Sequence, residues 1–200
     1  MLIISNLTVL YVLYFSVMDN SKDYIISLLK DKFDYEQKRK DDFETSLGIP
    51  ITILSALFAG AYFVVSDSSL QGINCSLLTI KWILVILLLV SLVTTLVLLF
   101  IVYFGFKRYY FSFPDSDTVY NTDYKALEEY TKEHYADSYE ESLLDNLKNK
   151  VIHWYLDCNT NNTSVNDRRS NALYYAKMSI CISLSVGLAL LILICFIKSI

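Results

Sequence analysis

Hydrophobic positions fall in three long stretches without a charged residue, and polar segments with helical periodicity precede or separate them. The uncharged stretches are 45–66, 82–106 and 178–197. Each can cross about 30 Å of hydrocarbon at roughly 1.5 Å per helical residue. The pattern therefore predicts three transmembrane helices. The first two form a hairpin over 45–106, and the third covers 175–197.

The polar segments beside these spans show the three- and four-residue spacing of amphipathic helices. Residues 18–47 form one such helix, which should continue directly into the first span. Residues 107–174 form a larger helical region, in which FSFPDSD (111–117) ends the helix of the second span. The predicted fold class is all-α: a three-helix transmembrane domain with a helical cytoplasmic stalk or cap.

Within the larger polar region, Ser138 and Glu141 have the spacing of a helix-capping box. The helix that follows has apolar residues at alternating steps of three and four, which is typical of a coiled-coil seam: Leu144, Leu147, Val151, Trp154 and Cys158. An Asn-rich loop, NTNNTSVND (159–167), should then separate this helix from a last one. The last helix is predicted to begin near Asn166 and to enter the third span.

Lysine and arginine are enriched in the short cytoplasmic flanks of membrane helices, so their positions predict orientation. They occur before the first span, after the second and before the third, whereas the connection between the first two spans has none before Lys81. We therefore expect 107–174 to be cytoplasmic. The Asn-, Ile-, Lys- and Tyr-rich composition suits a bacterial inner membrane, in which the chain would be a multi-pass protein.

The apolar N-terminal segment 1–17 has no basic n-region and no small-residue cleavage pattern, so a signal peptide is not expected. Two readings remain. The segment is a fourth span, or Met18 is the biological start and the segment is absent from the native protein. We favour Met18, because MDNSKDYIISLLKDKF gives an ordinary polar beginning to a cytoplasmic helix.

Composition agrees with a membrane protein, since 54% of the residues are hydrophobic and the mean hydropathy is +0.38. His134 and His153 have no cysteine or carboxylate at metal-ligand spacing, and no glycine-rich phosphate loop or nucleophile motif occurs. We expect no enzyme, no cofactor and no metal. The four cysteines show no CxxC spacing, and no intramolecular disulfide is expected.

The spans contain no internal charge or histidine, which argues against an ion-coupled transporter. They do contain small and hydroxyl residues at helical spacing: Thr52, Ala56, Ala59 and Gly60; Ser91, Thr94 and Thr95; and Ser179, Ser183 and Gly187. One interpretation is close helix packing, with hydroxyls bonding across the interface. The other is the lining of a pore, which would need several copies of the chain. Both favour a homo-oligomer, and the Leu144–Cys158 seam is a candidate contact.

The basic residues at the helix ends also admit two interpretations. They are Arg168, Arg169, Lys38, Arg39, Lys40, Lys107 and Arg108. They could converge to hold the phosphates of a ligand, for which the arginine fork is well suited. Alternatively they anchor the helices to anionic lipid. General attraction to nucleic acid is not expected, because acidic residues outnumber basic ones in 107–174.

The helical flanks YEQKRKDDFETSLG (35–48) and NDRRSNALYYAKMS (166–179), each leading into a span, make the chain resemble small membrane effectors of bacterial antiphage systems. These include SLATT-type effectors and HalB, the channel effector of Hailong-type systems. The resemblance implies a channel-forming oligomer in the inner membrane. Its cytoplasmic part would sense a cyclic or short linear oligonucleotide made by a nucleotidyltransferase of the same system, and opening would depolarise the cell.

Two other functions fit the same pattern. The chain could be a non-channel scaffold or accessory subunit that recruits a soluble partner through its Tyr-rich cytoplasmic helices. It could also be a pore-forming toxin without a ligand, which would kill cells whenever it is expressed alone.

Overall fold

The computed structural model describes the backbone of residues 2–66, 75–104 and 109–199, and the side chains of 21–66, 76–104 and 109–197. These residues are almost entirely helical and include no strand, which confirms the predicted all-α class. The main helices are α1 (Leu2–Thr45), α2 (Gly48–Ser66), α3 (Cys75–Phe104), α4 (Lys125–His134) and α5 (Tyr139–Ser199). A π-helical segment, Thr118–Tyr124, leads into α4.

Three helical stretches are long and apolar enough to cross a membrane: Ser21–Ser66, Ser76–Phe104 and Ala136–Ile197. They contain the described parts of the three predicted spans. Helices α2 and α3 pack against each other, as expected of a hairpin. The chain is therefore a helical protein with the makeup of a multi-span membrane protein.

The N-terminal helix leads into the first span as predicted, within the helical stretch Ser21–Ser66, but a two-residue turn at Ser46 and Leu47 separates α1 from α2. The hydroxyls of Thr45 and Ser46 both donate to the carbonyl of Asp42, at 3.0 and 2.6 Å. The backbone N–H of Ser46 donates to the same carbonyl at 3.0 Å, and that of Ile51 donates to the carbonyl of Leu47 at 3.1 Å, so bonds of the helical type persist at the turn. Pro50 lies in the first turn of α2, where its missing N–H does no harm.

The prediction of an Asn-rich loop is wrong, because 159–167 lie inside the single helix α5. Asparagine disfavours a helix interior chiefly because its side chain competes for nearby backbone groups. Here the side chains bond distant backbone instead. The amide nitrogen of Asn159 donates to the carbonyl of Leu29 at 2.9 Å, and Asn162 is fully buried. Tertiary bonding thus outweighs local propensity.

The chain divides into two compact units, with boundaries within α1, between 108 and 109, and within α5. Unit 1 comprises 1–38 and 109–164. Four aromatic rings pack edge to face in it: Phe33, Phe113, Trp154 and Tyr155, with centroids 4.5 to 6.2 Å apart. Ion pairs join its helices, among them Lys148 with Asp23 at 2.9 Å.

Unit 2 comprises 39–108 and 165–200 and contains α2, α3 and the C-terminal part of α5. In α5, its buried positions recur at alternating steps of three and four: Asn166, Arg169, Leu173, Ala176, Ile180 and Ser183. From α3 the core receives Leu88, Leu92, Leu99 and Val102. This spacing places one continuous face of α5 against α3 and α2.

Candidate functional site

Two serines of the third span, Ser179 and Ser183, lie where α5 packs against α3. The hydroxyl oxygens of Ser91 and Ser183 are 2.8 Å apart, and either can donate. The Ser179 hydroxyl donates to the carbonyl of Ser91 at 2.9 Å, and the buried Thr95 hydroxyl donates to the same carbonyl at 2.9 Å. Small hydroxyl residues of this kind allow helices to approach closely and bond across the interface. Ser183 is 0% exposed, so the geometry favours packing for these residues.

Two other residues of the predicted set lie outside this cluster. Thr94 is exposed, and its hydroxyl donates to the carbonyl of Val90 within its own helix at 2.8 Å. Gly187 is half-buried, and an added Cβ would meet only a methyl group of Leu57, at 4.0 Å. Gly187 therefore does not create a tight backbone contact in this chain.

A different set of polar residues is exposed along α2. Five residues at steps of three and four share this surface, which we call the α2 polar face: Thr52, Ser55, Ala59, Tyr62 and Ser66. Tyr62 is 71% exposed. The hydroxyls of Thr52, Ser55 and Ser66 each donate to the carbonyl four residues earlier, at 2.8 to 2.9 Å. Each hydroxyl oxygen keeps lone pairs that can accept a further hydrogen bond.

Only part of this face was found from sequence. Thr52 and Ala59 were recognised as small or hydroxyl residues, but Ser55, Tyr62 and Ser66 were missed. The available signal was the alternating step of three and four that starts at Thr52. The exposed surface of α3 consists mainly of branched aliphatic and aromatic side chains suited to lipid: Ile83, Ile86, Val90, Val93, Val97 and Phe100.

Arg169 was predicted to be a candidate ligand-binding residue, but its side chain is 1% exposed and unavailable to a ligand in this structure. Its Nε donates to the carbonyl of Val102 at 3.0 Å, near the last turn of α3. The guanidinium carbon lies 4.9 Å from the centroid of the Phe43 ring, in a cation–π contact. A cation at the carbonyl end of a helix also interacts favourably with the helix dipole. Arg169 therefore has a structural role.

The other basic candidates differ in how exposed their side chains are. Arg39 forms an ion pair with Asp167 at 2.9 Å, and Lys40 is half-buried. Arg168 is exposed in unit 2, and Lys38 is exposed in unit 1. Lys107 and Arg108 lie outside the described residues. Of the seven, Arg168 and Lys38 are the described side chains with the most accessible charge.

The predicted oligomer seam runs along the part of α5 in unit 1. Leu144 is 49% exposed, whereas its neighbour Leu143 is 9% exposed and supplies the buried contact. Leu147, Val151 and Trp154 are half-buried. An oligomer contact through Leu144 stays a prediction.

The polar residues of unit 1 form short local networks. Glu36 is buried, accepts from the Lys32 ammonium at 2.5 Å, and accepts from the Thr163 hydroxyl at 3.0 Å. A hydrogen bond from Lys132 lowers the pKa of Glu128. Burial raises the pKa of the Cys158 thiol, which keeps this thiol protonated and unreactive. Among the described residues, no three His, Cys, Asp or Glu side chains are placed to hold a metal ion.

These features define the class of the chain as a helical protein with three potential membrane spans. No family model, no curated protein and no solved structure matches it.

Proposed function

We propose that the protein is a homo-oligomeric membrane pore in which the α2 polar face of each copy meets water. The observation that carries this proposal is the exposure of Thr52, Ser55 and Ser66 on one side of a helix that is otherwise mostly apolar. A single copy provides three spans, which are too few to enclose a channel. Several copies arranged in a ring would turn this face inward and leave the aliphatic surface of α3 to lipid.

The chemistry of the two surfaces supports this arrangement. In hydrocarbon, a hydroxyl group of this face has no hydrogen-bond partner beyond the carbonyl of its own helix. Beside water, its remaining lone pairs accept hydrogen bonds from solvent. A wall of hydroxyl, alanine and tyrosine side chains without formal charge would be weakly selective. It could close by dewetting at a constriction. The buried serines Ser179 and Ser183 have no place in this wall, because they join α3 to α5.

The proposal extends to gating by a nucleotide-derived signal from the cytoplasm, in a bacterial inner membrane and as part of antiphage defence. This extension rests on the resemblance described above and on the accessible charge of Arg168 and Lys38. A gating ligand must bind the open and closed forms with different affinity. The unbroken helix α5 offers a covalent route from unit 1 to the third span.

Ion flux through liposomes that contain the purified protein tests the proposal. We expect flux in the presence of one member of a panel of cyclic and linear oligonucleotides, with little flux in its absence. Flux that is independent of every oligonucleotide would support a constitutive pore and reject the gating step. No flux in any condition, from protein shown to be folded, would reject the pore.

A membrane scaffold is the second candidate, and one observation favours it. Unit 1 exposes several tyrosines, with Tyr24 68%, Tyr35 56%, Tyr109 78% and Tyr120 58% accessible. Tyrosine is enriched where proteins bind one another. Replacing both Thr52 and Ser55 by leucine separates the two functions. A scaffold would bind the same number of partner molecules per chain as before, whereas a pore would lose its conductance.

A further inference from the structure

A groove of about 400 Å³ lies between the start of α2 and the middle of α5, within unit 2. From the α2 side it is lined by Ser46, Ile49, Pro50 and Ile53, and from α5 by Lys177, Ile180, Cys181 and Leu184. Its volume falls in the range of roughly 300–1,000 Å³ that is usual for small-molecule sites. The groove is therefore large enough to hold part of a ligand.

The lining changes from polar to apolar in the same direction along both helices. On α2 it runs from Ser46 to Ile53, and on α5 from Lys177 to Leu184. Each run covers eight residues, whose seven steps rise about 10 Å along a helix. Lys177 directly precedes the uncharged stretch 178–197, so its ammonium belongs at the level where the membrane meets water.

Lys177 is the only charged residue in the lining, and its side chain is exposed. A purely apolar occupant, such as the leucine-rich face of a second copy, would offer no counter-charge to this ammonium. A phospholipid with an anionic headgroup matches both the charged end and the apolar end of the groove. Its phosphate would pair with Lys177, and an acyl chain would lie along Ile49, Ile53 and Leu184.

We propose that this groove binds one anionic phospholipid per chain, with the phosphate at Lys177 and an acyl chain between α2 and α5. The site is separate from the α2 polar face, because the groove residues of α2 are not members of that face. Its existence does not depend on the pore. The lipid would bridge the first and third spans, and the site would prefer anionic over zwitterionic lipid.

Native mass spectrometry of the full-length protein, extracted from liposomes of equal phosphatidylglycerol and phosphatidylcholine, tests the proposal. We expect one retained phosphatidylglycerol per chain and little phosphatidylcholine. Lys177→Gln should lower the retained phosphatidylglycerol at least fivefold, and Lys177→Arg should keep most of it. Ile53→Trp, which fills the apolar end, should also lower retention while the charge is unchanged.

Arg168→Gln is the matched control, because Arg168 is an exposed base nine residues earlier on α5 and outside the groove. It should leave retention unchanged. An equal loss in Arg168→Gln and Lys177→Gln would show general attraction to a basic surface and would overturn the proposal. Equal retention of both lipids by the wild type would overturn it as well. Because Lys177 is exposed, its replacement leaves the core intact, and gel filtration confirms that the variant is folded.

Discussion

The hydroxyl oxygens of Ser91 and Ser183 lie 2.8 Å apart and join α3 to α5 inside one chain. Ser183 is completely buried there, and its hydroxyl is within hydrogen-bonding distance, 2.9 Å, of the Ser179 carbonyl, to which it can donate. The serine stripe that sequence alone left open between packing and pore lining is thus used for packing. In the proposed pore, the surface that would meet water lies instead on α2.

Ser183 offers the most direct test of this packing. Ser183→Leu should destabilise the protein by about 1–3 kcal/mol, because extra methylene groups must fit into a filled interface. Ser183→Ala should cost only about 0.6 kcal/mol, the average value of a hydrogen bond between membrane helices. The free energy of unfolding in mixed detergent micelles measures both. Ser185→Leu, on the exposed side of the same helix, is the control and should change little.

Asn162 fixes the segment after the second span to α5. Its side-chain amide accepts from the N–H of Phe111 at 2.9 Å and donates to the carbonyl of the same residue at 3.0 Å. Asn162→Leu keeps the volume and removes both bonds. It should cost about 0.5–1.5 kcal/mol for each hydrogen bond lost, because the N–H and the carbonyl of Phe111 lose their partner.

Trp154 reports this loss by fluorescence, because its ring lies 6.2 Å from that of Phe113 in the same segment. The measurement uses a Trp82→Phe background, so that the signal comes from one tryptophan. Thr160→Ala, at an exposed position on α5, is the control. An unfolding curve for Asn162→Leu that matches the control would contradict the assigned role.

Arg168 and Arg169 should respond very differently to substitution. Arg169→Met leaves the Val102 carbonyl without its Nε donor, and it should cost about 1–3 kcal/mol of unfolding free energy. Arg169→Lys keeps the charge but loses the planar contact with Phe43, and it should also destabilise. Arg168→Gln should stay within about 0.5 kcal/mol of the wild type, as is usual for exposed positions. Equal effects at the two positions would refute the structural role of Arg169.

Asp115 makes the segment before α4 sensitive to pH. Its carboxylate accepts from the Thr118 N–H at 2.8 Å, and this bond lowers the pKa of Asp115 below its ordinary value of 3.8. A carboxylate whose pKa is lowered by folding stabilises the folded state at any pH above its ordinary pKa. This stabilisation is lost as the pH falls through the lowered pKa of the folded state. Wild type should therefore exceed Asp115→Asn in stability at pH 6, and the difference should shrink below about pH 4. A difference that is constant over this range would contradict the assignment.

Much of the fold follows from sequence because the spans have no charge and their boundaries carry specific residues. Pro50 marks the first turn of α2, FSFPDSD falls where regular helix is absent over 109–115, and α5 begins directly after Ser138. The Asn-rich segment was wrongly predicted to be a loop. The low helix propensity of asparagine describes only the competition of its side chain for nearby backbone groups, and not its bonds to distant segments. The periodicity of this segment was nevertheless visible, since Asn162, Asn166, Arg169 and Leu173 continue one series of alternating steps.

The same periodicity distinguishes Arg168 from Arg169, two adjacent residues of the same type. Arg169 is in phase with Asn166 and Leu173 and is buried, whereas Arg168 is one residue out of phase and is exposed. The α2 polar face was harder to predict. Serine and threonine occur on both buried and exposed surfaces of membrane helices, and only the packing of α3 against α5 shows which set is used inside the chain.

Block of conductance at the α2 polar face tests the pore most directly. The native cysteines are first replaced, and Thr52→Cys is compared with Val90→Cys, which lies on the aliphatic surface of α3. Ion flux from liposomes is recorded with the oligonucleotide panel, before and after a membrane-impermeant thiol reagent. The account predicts that the reagent reduces flux through Thr52→Cys and leaves Val90→Cys unchanged. Equal sensitivity of the two variants, or no flux from folded protein in any condition, would contradict it.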